Sequence, residues 1–74
     1  MKCIVMTFVQ IETMVARQDG YEDVNEWRRD TPEEMRHSIY DLVNVDNMGF
    51  CRDSAARWYT FQDDRGRDCV WYRY

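Results

Sequence analysis

The stretch Cys3-Ile4-Val5-Met6-Thr7-Phe8-Val9-Gln10-Ile11-Glu12-Thr13-Met14-Val15 decides the fold, because it satisfies two periodicities at once. With a period of two, Cys3, Val5, Thr7, Val9, Ile11, Thr13 and Val15 share one face, and all but the cysteine are β-branched. Lys2, Ile4, Met6, Phe8, Gln10, Glu12 and Met14 form the other face. That alternation is a strand signature. With a helical period, Thr7 becomes an N-cap, Gln10 completes a capping box and Gly20 ends the helix. β-branched side chains lose rotamer freedom on a helix and suit a pleated surface. The expectation is therefore a strand over residues 3–15.

Downstream signals are more local. Asp23-Val24-Asn25-Glu26 has the form of a capping box and precedes Trp27, so a short helix is expected near 24–30. Thr31-Pro32-Glu33-Glu34 is a second helix start. Thr31 caps, Pro32 fits the first helical position and the glutamates favour the positive end of the dipole. Met35, Ile39, Leu42 and Val43 then follow at helical spacing, which predicts a helix over 32–44 ended by Asn44–Gly49.

Six of the eleven aromatic residues lie in the tail, 56–74, on both sides of Asp63-Asp64-Arg65-Gly66-Arg67. This is a hairpin signal, with Gly66 able to take positive φ. A three-residue loop at 64–66 sets Phe61 opposite Cys69, Tyr59 opposite Trp71 and Trp58 opposite Tyr72. Tyr59, Phe61, Cys69 and Trp71 then share one face. The face with Trp58, Thr60, Val70 and Tyr72 is the outer one, leaving Trp58 and Tyr72 partly exposed. The fold class that results is α+β, ordered β-α-α-β-β, a three-stranded antiparallel sheet with two short helices packed on one face.

Residues 1–74 form a single domain, too small for a second core. The apolar fraction of 45% and aromatic fraction of 15% argue against disorder. Three cysteines, an odd number with none close together, argue against a secreted disulfide framework and for a reducing, cytoplasmic setting. The apolar segment 2–9 is too short to span a membrane and lacks a cleavage pattern, so no membrane association is expected.

The net charge of −4 is uneven. Residues 21–50 hold three Arg against eight acids, a net of −5, whereas residues 51–74 hold five Arg against four Asp, a net of +1. Such a chain repels a phosphate backbone at long range, so general nucleic-acid binding is disfavoured.

Few residues suggest catalysis. Cys3, His37, Cys51 and Cys69 have zinc-ligand chemistry but not the paired spacing of zinc sites, and small buried cysteines beside a surface histidine explain them as well. Cys51 precedes Arg52, whose charge would activate a thiolate, but Asp53 offsets it. No nucleophile elbow, calcium loop or Gly-rich phosphate loop is present. No catalytic residue, metal ligand or cofactor is assigned.

The function expected is that of a small acidic, non-catalytic protein-binding module. Its partner-binding residues are Glu22, Asp23, Glu26, Asp30, Glu33 and Glu34, with Trp58 and Tyr72 from the hairpin, and its partner is a protein with a basic surface. Carboxylates three or four residues apart on a helix stand about 5–6 Å from one another, roughly the scale of phosphates along a strand. Size and charge suit an inhibitor or modulator of a larger nucleic-acid-handling protein, of phage or mobile-element type, acting as a DNA mimic; this is analogy from build, not from a motif. The alternative is a single-stranded nucleic-acid binder that stacks bases on Trp58, Tyr59, Trp71 and Tyr72. Homodimerisation through the edge of the last strand would enlarge so small a core.

Overall fold

The helical reading of the opening stretch prevails. The computed structural model describes residues 2–74 and limits the first strand, β1, to Ile4–Val5; helix α1 then runs over Phe8–Gln18. Thr7 forms the full capping box, its hydroxyl accepting from Gln10 N at 3.1 Å and its own N–H donating to Gln10 Oε1 at 2.8 Å. The helix ends with Gly20 at φ +91°. There Gly20 N–H donates to Arg17 O and Tyr21 N–H to Ala16 O, the paired bonds of a Schellman motif. The expected strand over 3–15 is thus corrected to two residues of strand and eleven of helix. Burial at Ile11, Met14 and Ala16, with Phe8 and Val15 half-buried, gives α1 one apolar face, while Val9 and Thr13 point to solvent. The β-branched residues of the expected pleat are therefore shared between the two sides of a helix.

Helix α2, Val24–Asp30, lies where its capping signal placed it, with Asp23 accepting from Asn25 N at 2.9 Å. The helix expected over 32–44 is broken. A 3-10 turn, Glu33–Met35, is followed by a separate short helix α3, Ile39–Leu42. The interruption has a local cause. Ser38 starts a new capping box in which the Asp41 carboxylate accepts from the backbone N–H of both His37 and Ser38. Arg36 meanwhile donates its Nε–H back to Thr31 O.

Three strands follow: β2 Asn47–Cys51, β3 Ala56–Gln62 and β4 Asp68–Arg73. The sheet has four strands in the order β1-β4-β3-β2. The fold is α+β, but the sheet is mixed, because β1 runs parallel to β4 with Ile4 beside Cys69 and Val5 beside Val70. β2, absent from the sequence reading, pairs antiparallel with β3. The hairpin register is the expected one: Phe61 faces Cys69, Tyr59 faces Trp71 and Trp58 faces Tyr72. Cys69 and Val70 of the last strand already pair with β1, so that stretch of its edge is not free for a second copy.

The inner face of the sheet meets the helices. Ile11, Met14, Trp27, Ile39, Tyr59, Phe61 and Cys69 form one buried cluster. Trp27 is 1% exposed, and its indole N–H donates to Asp19 Oδ2 at 2.8 Å, so the largest core side chain is also polar-satisfied. Among the described residues no helix is long and apolar enough to cross a membrane.

Candidate functional site

The carboxylates of the helical segment gather in two groups. Asp19, Glu26 and Asp30 converge on Tyr21, whose hydroxyl donates to Asp30 Oδ2 at 3.0 Å. That hydrogen bond, then desolvation, and then the surrounding negative charge hold the Tyr21 phenol above its ordinary value. Glu33, Glu34 and Asp41 border a shallow hollow with His37 and Ser38. Glu22, Asp23, Glu26, Asp30, Glu33 and Glu34 are all exposed.

None of these six forms an ion pair. Among the described residues there are two, and neither uses them: Arg28 with Glu12, and Arg67 with Asp63. Arg28, one of the cations within the acidic segment, turns away to Glu12 of α1 at 2.6 Å. Bonding to Glu12 raises the guanidinium pKa. The six carboxylates are therefore in no contact ion pair among the described residues, although Arg29 and Arg36 share the segment. Asp23 and Asp41 are partly committed to capping and Asp30 to Tyr21; among the described residues no side-chain hydrogen bond engages Glu22, Glu26, Glu33 or Glu34.

Trp58 and Tyr72 lie elsewhere. Strand alternation puts them on the outer face of the sheet, opposite the face on which the helices pack. Trp58 is half-buried with its indole over Gly49 of β2, and Tyr72 is 38% exposed. The acidic residues thus lie on the helical segment, in separate sets, and Trp58 and Tyr72 lie on the far side of the sheet. The proposed base-stacking set also divides. Tyr59 and Trp71 face inward and stack on each other with centroids 5.4 Å apart, and Tyr59 is only 5% exposed.

A feature the sequence reading missed lies where the helices stop short of the sheet. Arg57 and Arg73 face each other across β3 and β4. With Phe50, Tyr59 and Tyr74 they line an open hollow whose lining includes no acidic side chain. Like charges directly opposite destabilise a strand pair, and among the described residues neither arginine is in an ion pair. The hairpin register alone pairs residues 57 and 73; what the sequence did not show is that the helices leave this row uncovered.

The cysteines are separated chemically. Hydrogen bonding to Ser54 holds the Cys51 thiol below its ordinary value, with Arg52 contributing nothing to the shift. Burial pushes the Cys69 thiol up. His37 lines a hollow with Phe8, Tyr59 and Trp71, away from Cys51. Among the described residues no three His, Cys, Asp or Glu side chains are grouped to hold a metal ion. No family model, curated protein or solved structure matches the chain.

Proposed function

We propose that the chain is a protein-binding module that works without catalysis and docks a basic partner surface through its helical carboxylates. The supporting observation is that Glu22, Asp23, Glu26, Asp30, Glu33 and Glu34 are exposed and in no ion pair, while Arg28 is withdrawn to Glu12. A net charge of one sign steers an oppositely charged partner and speeds encounter. A partner that normally holds nucleic acid offers such a basic surface, and an inhibitor or modulator of such a protein is the role this build fits. Trp58 and Tyr72, on the far face, are not part of this contact.

The test is capture from the native cell, identified by mass spectrometry, with nuclease present. The wild-type chain should retain a basic protein that added salt releases, and the Glu33→Lys, Glu34→Lys double variant should lose it with an unchanged circular dichroism spectrum. Retention of the same protein by the double variant would refute docking through these carboxylates.

A second reading is favoured by Arg57 and Arg73. Two arginines beside exposed Phe50 and Tyr74 suit a single-stranded nucleic-acid segment, with phosphates on the cations and bases on the rings. It predicts oligonucleotide binding that weakens steeply with salt and disappears in the Arg57→Ala, Arg73→Ala variant. The same titration showing no binding to wild type would eliminate it.

A further inference from the structure

We propose that β2 is the contact strand of a symmetric homodimer, in which two copies of Asn47–Cys51 pair antiparallel about Gly49 and join two four-stranded sheets into one. This contact goes beyond the carboxylate docking above and uses a different surface.

The sheet has two margins. β1 is two residues long and leads within three residues into α1. β2 is five residues long and has a neighbour, β3, on one side only. Proteins that must not pair through an open edge blunt it with lysine, proline, a bulge or a very short strand. Asn47-Met48-Gly49-Phe50-Cys51 contains no charged residue and no proline, and its pairing with β3 is continuous. Met48 and Phe50 are 49% and 60% exposed, an apolar row on a strand with room for a partner.

Charge selects a second copy as that partner and sets the register. In an antiparallel pair, residues directly opposite point to the same face. A twofold axis at Gly49 sets Met48 opposite Phe50 of the second copy and brings Asp46 and Arg52 of the second copy, which flank the strands, to the same end of the pair. Symmetry repeats both contacts. Among the described residues neither Asp46 nor Arg52 is in an ion pair, and both are exposed. Moving the axis to Met48 would set Asp46 against Phe50, and moving it to Phe50 would set Arg52 against Met48. Each alternative presses a charge onto an apolar side chain. Only the Gly49-centred register joins apolar to apolar and acid to base.

Sedimentation equilibrium should give twice the 9.1 kDa chain mass. Asp46→Arg alone, or Arg52→Asp alone, brings like charges together and should weaken dimerisation roughly tenfold or more. The combined variant, Asp46→Arg with Arg52→Asp, should restore it. A second arm does not depend on affinity. Asn47→Cys places a thiol opposite Cys51 of the second copy, and diamide oxidation should then give a covalent dimer beyond the wild-type level. A wild-type chain that stays monomeric at micromolar concentration overturns the proposal. So does a dimer indifferent to the single charge changes, a combined variant that fails to recover, or an Asn47→Cys chain that does not cross-link.

Discussion

The indole of Trp58 lies against Gly49, its cross-strand neighbour, so closely that a Cβ at position 49 would fall 2.8 Å from Trp58 Nε1 and closer still to the ring carbons. Glycine is required here for space and not for a positive φ, since the backbone is ordinary strand. Gly49→Ala forces the ring off its seat and should cost about 1–3 kcal/mol, measured by urea unfolding. In a Trp58→Ala background the same change should cost little, because the colliding ring is gone. Equal costs in both backgrounds would show that the ring is not the cause.

Arg28 and Glu12 should respond unequally to removal. Glu12 is 10% exposed at its side chain and Arg28 is 33% exposed. Arg28→Ala strands a nearly buried carboxylate and should cost about 2 kcal/mol, whereas Glu12→Gln keeps an acceptor for a guanidinium that water also reaches and should cost about 1 kcal/mol. Thermal melts of the two variants at neutral pH decide the order, and the reverse order would contradict the burial asymmetry.

Acid should loosen the hairpin through Asp63. Its carboxylate accepts from the backbone N–H of Arg65 and Arg67 and from Arg67 Nε at 2.7 Å. Burial by itself would raise the carboxyl pKa; the bonds from Arg67 and Arg65 outweigh it and hold the group below its ordinary value. A depressed folded value means that the unfolded chain takes the proton first. The contribution is therefore present above the unfolded pKa of about 3.9 and is lost as pH falls through the folded value. Urea midpoints for Asp63→Asn should decline less between neutral pH and about pH 3 than those of wild type; parallel declines would assign the acid sensitivity to other groups.

The parts of this fold legible in the sequence were those written in residues close together. Asp23 marked the start of α2, and the loop at 64–66 set the pairing of Phe61 with Cys69 and of Trp58 with Tyr72. The opening stretch was misread because alternation of β-branched residues was weighed above the Thr7–Gln10 cap, and a cap gains its weight only when Ile11 and Met14 have a sheet to pack on. The break at 36–38 was missed because Asp41 looked like a mid-helix acid and not the third residue of a new box. β2 went unseen because Gly49 reads as a helix terminator until Trp58 is known to need the space. Of the candidate site, the acidic composition of one contiguous segment was legible. The separation of Trp58 and Tyr72 from it was not, because that depends on which sheet face the helices cover.

The parallel contact between Ile4–Val5 and Cys69–Val70 joins segments at opposite ends of the sequence. α1 precedes β4 in the chain, so the sheet that the face of α1 holding Ile11 and Met14 packs on is complete only once the long intervening segment has looped back. Closing the sheet is thus the step with the largest loop entropy to overcome, and the contact that a folding chain is slowest to find.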